Sequence, residues 1–426
     1  MKSSIKWAFP AKFRSGCYGW RGSQKAAQNL KAAVREIRKA AKTEPVQAGE
    51  GAIKLLGRIW PAFQHIDTSS GALGTAVNHA LEDDLVPLLI DLDADIGVRR
   101  KWMEKLQEAV DEDGVDYLWP VRERWGEICV FPELAGEWAD HTREFVRQVY
   151  VHNRLEGRYG YTGTDVVLFS CLLATGRHDE IIQFLELDLH PHWSTRKFAA
   201  MSLVRQGRSN EALGYAEGLH SSACGGTGND DWQIEQFCEQ LLLDAGRLQD
   251  AYKGYGLQLR EGTTYLNQFR AITKKYSQME PRRILEDLMR LSGNPSQWFS
   301  AARQTGHLDL ALECALKGRV DPCTLIRAAR DYADKDPEFS LRVSFRALAQ
   351  MIYGEFYEIT TVDLMNGYDL VIKAARHFDQ LEKAITQIRR WMEETKHLLP
   401  VFRETLNRRL EREIQDMRGN APEAHV

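Results

Sequence analysis

The chain has 426 residues, 27% charged and 43% hydrophobic, with a formal net charge of −4. That composition is ordinary for a folded globular protein and excludes a disordered or fibrous one. No apolar run approaches the ~20 residues of a membrane-spanning helix, and "MKSSIKWAFPAKFRSG" at the N-terminus has positive charge but not the apolar stretch of a secretory signal.

Taken in chain order, "SQKAAQNLKAAVREIRKAAK" predicts a helix over 23–42, capped by Ser23, with Leu30, Val34, Ile37 and Ala41 as its buried seam. A second helix starts near Pro45, and a third covers "SSGALGTAVNHALEDDLVPLL" with Ser69 or Ser70 as cap. "GVRRKWMEKLQEAV" places Trp102, Met103 and Leu106 five, six and nine positions after Gly97. "PELAGEWADHTREFVRQVY" opens on Pro132 as a first-turn proline. Two glycine-rich breaks follow, "GRYGYTG" at 157–163 and "HSSACGGTGND" at 220–230. Beyond Pro337 the helices lengthen. "DLVIKAARHFDQLEKAITQIRRWMEETKHLL" and "VFRETLNRRLEREIQDMR" are amphipathic, with Pro400 as the break between them and "GNAPEAHV" as a frayed tail. Nothing alternates over several strand lengths, so almost no sheet is expected.

One turn recurs. "LLATGRHDEIIQFL", "LVRQGRSNEALGYA", "LLDAGRLQDAYKGY" and "AARQTGHLDLALECA" align on Gly176, Gly207, Gly246 and Gly306. Apolar residues stand three and four before the first three glycines, with Ala302 and Arg303 in the weaker fourth copy, and five, six and nine after all four. That is helical spacing on both sides of a glycine stop, which needs a residue without a Cβ. Asp179, Asn210 and Asp309, three past their glycines, are placed to cap the next helix or to meet its positive end. Each copy is therefore a helical hairpin. The glycines are 31, 39 and 60 residues apart, the last interval leaving room for a diverged hairpin around Pro281. A hairpin cannot bury its apolar face alone, so such units stack.

A glycine closing one helix and an acid-x-Ala pattern opening the next resembles the tetratricopeptide repeat over residues 164–320, without that repeat's full set of Trp, Tyr and terminal Pro in any copy. The resemblance implies an all-α fold of stacked helical hairpins, a TPR- or HEAT-like α-solenoid with longer amphipathic C-terminal helices. Three regions follow: 1–156, helical, with a basic first helix and an acidic 82–144; 157–335, the repeat array; and 336–426, the long-helix region. Three N-terminal boxes, "FRSGCYGWRGS" at 13–23, "AGEGAIKLLGRIWPAFQHIDTSSGALGTAVNHA" at 48–80 and "RWGEICVFPELAGEWAD" at 124–140, resemble a family of uncharacterised bacterial helical proteins. That resemblance implies a bacterial origin and brings no catalytic residue.

Charge is uneven. Residues 1–42 hold eleven Lys or Arg and one acid, Glu36; residues 82–144 hold eighteen acids and seven Lys or Arg. Lys31, Arg35, Arg38 and Lys42 share one stripe of the first helix, and Phe13, Tyr18 and Trp20 alternate with Arg14 and Arg21 just upstream. Interleaved aromatic and Arg side chains stack bases and hold phosphates. The competing reading sets this segment as a cap whose positive face meets the acidic block. His79 with Glu82, and His190 with His192, lack the spacing of a metal site. "ACGGTGND" lacks the Lys-Ser/Thr of a phosphate loop, and no nucleophile motif appears. The seven cysteines, Cys17, Cys129, Cys171, Cys224, Cys238, Cys314 and Cys323, are odd in number and form no C-x-x-C, which points to a reducing cytoplasm. Most tryptophans fall at apolar helical positions, as core or as anchors in a groove.

Together these features lead to a non-enzymatic, cytoplasmic helical-repeat adaptor or assembly subunit. It would grip a protein partner in a groove, need no cofactor, metal or membrane, and use its C-terminal helices to cap the array or self-associate. The alternatives are a nucleic-acid-associated subunit using the basic helix and an enzyme with an unrecognised site in a helical cleft.

Overall fold

The computed structural model describes residues 5–157, 162–188, 192–220, 230–258, 264–395 and 398–419. None of these lies in a strand: the fold is all-α, built of stacked helical hairpins. None of its helices is long and apolar enough to cross a membrane. Most of "GRYGYTG", nearly all of "HSSACGGTGND", His190 and the tail from 420 lie outside the described residues. The chain divides between Ala245 and Gly246 into two compact units. The composition boundaries after 156 and after 335 fall inside the first and the second.

In the first unit the Ser23–Ala41 helix buries Leu30, Val34 and Ile37, while Ala41 is half-buried. Ser23 does not cap it: the cap position is Gly22, and Ser23 is already helical. Pro45 and Pro132 stand in the first turns of Pro45–Phe63 and Pro132–Glu156, where a missing N–H costs nothing. The third helix starts at Ala72 behind a left-handed Gly71, and the Ser70 hydroxyl lies at the limit of hydrogen bonding, 3.5 Å from the Ala72 N–H. It then passes through a π-helical segment, Ala80–Leu85, into Val86–Asp91. Gly97 is not a repeat turn. It lies inside Ile96–Asp111, whose cap is Asp95, accepting from the Val98 N–H at 2.9 Å. Trp102, Met103 and Leu106 are that helix's buried seam. Seam spacing alone does not reveal what precedes a helix.

Arg99 is only 1% exposed. Its guanidinium donates to the carbonyls of Leu89 at 2.7 Å, Ile128 at 3.0 Å and Ile90 at 3.3 Å, and also to that of Leu92. These carbonyls lie at or just past the ends of Val86–Asp91 and Trp125–Cys129, so one cation satisfies orphaned acceptors at two negative helix ends. Farther along, the Tyr150 hydroxyl donates to Asp165 at 3.0 Å and ties Pro132–Glu156 to Thr164–Ala174. Asp165 is 2% exposed, and burial pushes its carboxyl above the ordinary aspartate range despite the bonds from Tyr150 and the Val166 N–H.

The recurring turn has one hydrogen-bond pattern. The N–H groups of Gly176, Gly207 and Gly306 donate three residues back, to Leu173, Val204 and Arg303. The next N–H donates five back, to Leu172, Leu203 and Ala302, at 2.9 Å each. With Gly246, the four glycines have φ of +70°, +76°, +70° and +83° in chain order. Arg177, Arg208 and His307 hold the cap positions of the following helices, so Asp179, Asn210 and Asp309 do not cap: they lie in the first turn, where the two aspartates meet the positive helix end.

In the second unit the same pattern closes Pro337–Ile352 at Gly354 (φ +69°) and Thr361–His377 at Asp379 (φ +55°). The Asp379 turn splits the single long helix expected from "DLVIKAARHFDQLEKAITQIRRWMEETKHLL" into Thr361–His377 and Leu381–Glu394. Ala384, Ile385 and Ile388, five, six and nine past Asp379, are buried as in the glycine copies. The interval around Pro281 holds the pair Tyr265–Lys275 and Pro281–Leu291. Each later helix packs on the next but one: Leu308–Lys317 on Pro337–Ile352, Pro322–Tyr332 on Thr361–His377, Pro337–Ile352 on Leu381–Glu394, and Thr361–His377 on Pro400–Gly419. That alternation is the stacking rule of a helical solenoid. Phe402, Leu406 and Leu410 are buried, so the last helix uses its apolar seam within this unit.

A Cβ at Gly207 would meet nothing within 4 Å, so Gly207→Ala carries the backbone cost alone, about 1 kcal/mol, while Asp379→Gly gains up to about 1 kcal/mol; urea midpoints measure both. Arg99→Met orphans several buried carbonyls at once and lowers unfolding stability by about 3 kcal/mol or more in the same assay. The raised Asp165 pKa means that the folded state binds its proton more tightly than the unfolded state. This contribution to stability is full below the ordinary aspartate pKa and is lost as pH rises through the raised one. Asp165→Asn therefore flattens that part of a stability profile measured from about pH 3 to pH 8.

Candidate functional site

The basic N-terminal residues are largely on the surface. Arg14, Arg21, Lys31, Arg35 and Lys42 are exposed, and their side chains make no hydrogen bond or ion pair among the described residues. Arg38 pairs with Asp84, the one described ion pair between this stripe and the acidic 82–144 stretch. The aromatic residues interleaved with them separate by burial. Phe13 and Tyr18 are core, packed against Phe63 at centroid distances of 5.7 and 5.5 Å, whereas Trp20 is 68% exposed. A base-stacking platform there would consist of Trp20 alone. Lys31 also lies on the rim of a cavity of about 550 Å³ between Ser23–Ala41 and the helix that starts at Ala72. Alanines on both helices line that cavity, with His79, Asp83 and Asp84 on its far rim. His79 faces Asp83 at 2.8 Å. Among the described residues no group of three His, Cys, Asp or Glu could hold a metal ion.

A second site was not singled out by any motif. Two contiguous cavities, of about 320 and 290 Å³, share Trp138 and His141 and form one open trough in the first unit. Its near wall is Ile96–Asp111, presenting Arg100, Glu104, Gln107 and Asp111 at spacings of four, three and four. Its far wall is Pro132–Glu156, presenting Leu134, Glu137, Trp138, His141 and Phe145. Leu134 to Phe145 spans about 16 Å at the helical rise. Phe145 is 52% exposed, a large aromatic side chain half open to solvent.

The aromatic lining rests on a fixed base. Gly126 lies directly on the Thr164–Ala174 helix, where a Cβ would land 2.3 Å from the Ser170 carbonyl oxygen. Its N–H donates to the Ser170 hydroxyl at 3.0 Å. Next to it, fully buried Trp125 meets Trp138 edge to face at 5.1 Å, and Trp138 meets His141 at 6.2 Å. Arg100 donates to Glu137 at 2.9 Å and holds that carboxyl below its ordinary range. Arg122 pairs with Asp116 at 2.7 Å and donates to the Val110 carbonyl at 3.2 Å. Gln107 donates to Asp111 at 2.7 Å, and Glu104 makes no hydrogen bond or direct ion pair among the described residues. Among the described residues of the trough, the Thr142 hydroxyl bonds to the Trp138 and Ala139 carbonyls and not to His141 or a carboxylate. What the trough offers is a rigid aromatic surface edged by carboxylates.

No protein-family model matches the chain, which leaves the resemblance of the N-terminal boxes to a bacterial family without support. No curated protein matches it either. Among solved structures, one described as a circular tandem repeat protein with novel repeat topology and enhanced subunit contact surfaces shares 14% sequence identity over 93% of this chain and 92% of its own. Its TM-score is 0.18, which carries no argument about shape or function.

Proposed function

We propose that the chain is a non-enzymatic adaptor or assembly subunit that holds a protein partner in the trough between Ile96–Asp111 and Pro132–Glu156. The observation that carries this reading is Trp138 and the half-exposed Phe145 on one helix face, backed by buried Trp125. Aromatic residues dominate the binding energy of protein interfaces when their rotamers are already fixed, because less side-chain entropy is lost on docking. Rigid helical hairpins supply that fixing. A second reading has an observation of its own: Arg14, Arg21, Lys31, Arg35 and Lys42, which make no ion pair among the described residues, and exposed Trp20 around the first helix suit a nucleic acid backbone.

A photocrosslinking amino acid at position 145 and, separately, at position 35 of the full chain tells these apart in lysate from its own host. The expected result is a discrete protein adduct at 145 that survives nuclease. Adducts at 35 alone, lost on nuclease treatment, would transfer the function to the basic helix.

A further inference from the structure

Resting on the protein-binding reading above, we propose that the Trp138–Phe145 trough docks a lysine- or arginine-bearing amphipathic helix of its partner. Both cations at the trough are already engaged, Arg100 by Glu137 and Arg122 by Asp116 and the Val110 carbonyl. Each guanidinium charge is already balanced by a carboxylate at contact distance, so an incoming anion would have to compete with Glu137 or Asp116. An incoming cation meets Glu104, which among the described residues makes no direct ion pair though its charge reaches Arg100, and Asp111, whose described partner is the neutral Gln107 amide. The lining also includes the rings of Trp138 and Phe145, and aromatic rings attract cations over their faces. The surrounding sequence has the same sign, with eighteen acids against seven Lys or Arg over 82–144, and so steers positive segments toward the trough.

Geometry narrows the ligand further. Glu104 and Asp111 are seven residues apart, two turns along one helix face. The trough's length of about 16 Å holds about three turns of a third helix laid alongside. The matching segment carries two cations seven residues apart and an apolar side chain between them that enters between Trp138 and Phe145. Its cations stay near the rim, where charge sets orientation and encounter rate, while the apolar anchor supplies most of the affinity.

The test uses the full chain and a labelled synthetic helical peptide of about fifteen residues. The peptide carries Lys at two positions seven apart with Leu between them; its twin carries Glu in their place. Fluorescence anisotropy is read at low and physiological salt. The lysine peptide is expected to bind at least about tenfold more tightly than the glutamate twin, with affinity falling as salt rises. Glu104→Lys with Asp111→Lys should reverse the preference, and Phe145→Ser should weaken both complexes about tenfold. All three positions are exposed, so these changes leave the core untouched. Equal binding of the twins, or indifference to the charge reversal, overturns the proposal. So does a change in the sedimentation of the free chain on charge reversal, which would give the trough to a second copy. Capture of a protein at position 145 without charge preference leaves the adaptor reading standing and removes only the basic ligand. No capture at 145 removes the adaptor reading itself.

Discussion

A chain that stacks short helices must end each one sharply, and here a single backbone conformation does so. After the last helical residue one position turns left-handed, and two N–H groups fold back onto the carbonyls of the final turn. Acceptors that would be orphaned at a packed helix end are satisfied by these backbone N–H groups, and the side chains of Thr175, Gln206 and Thr305 add bonds to carbonyls of the same turns. The next helix leaves in a set direction, so the residues five, six and nine later return to the core. Seam, spacing and stacking in the repeat region all depend on that one conformer. Where Gly97 precedes the same seam spacing but lies inside a helix, no such hairpin forms.

Two helix ends before residue 164 are met differently: Arg99 gathers the carbonyls of two short helices around one buried guanidinium, while Pro132–Glu156 still closes on a left-handed Gly157. Replacing a left-handed turn by a buried cation puts more at stake, because removing the side chain strands its acceptors together. The arrangement also has a consequence for the surface. Trp125–Cys129 is drawn inward, against Arg99 on one side and against Ser170 on the other, and the two longer helices keep an open trough above it.

Much of the architecture was legible because glycine at a helix end is a local signal: Gly176, Gly207, Gly246 and Gly306 announce themselves by what they lack. Asp379 adopts the same conformation with a side chain, at an energetic cost that packing of Ala384, Ile385 and Ile388 offsets, and so it reads as helix interior. Ser23 reads as a cap by residue type, yet Gly22 starts the helix with backbone alone. The trough was not legible at all. Arg100, Glu104, Trp138 and Phe145 come from two helices separated by residues 112–131, which form two further short helices, and each alone looks like any solvated or core position. The one available signal was the exposed Phe at the i+7 position from Trp138, one apolar residue beyond what the buried seam of Leu134, Thr142 and Val146 requires.

Opposite charge within one chain invites the expectation that the patches find each other in the fold. Among the described residues one ion pair joins the basic stripe to the acidic stretch, Arg38 with Asp84. The physical reason is that an exposed ion pair contributes about 0–1 kcal/mol once side-chain entropy and solvent screening are counted. Burial of Leu30, Val34 and Ile37 outweighs that by several kcal/mol, so the apolar seam, not the charge, sets how the first helix lies. Charges that packing does not need are left facing solvent. Lys31, Arg35 and Lys42 on one side and Glu104 and Asp111 on the other are therefore exposed to other molecules, and of the two sets only the acidic one borders a preformed aromatic trough. Charge gives such a surface its sign and its approach rate, while the fixed aromatic rings give it something to hold.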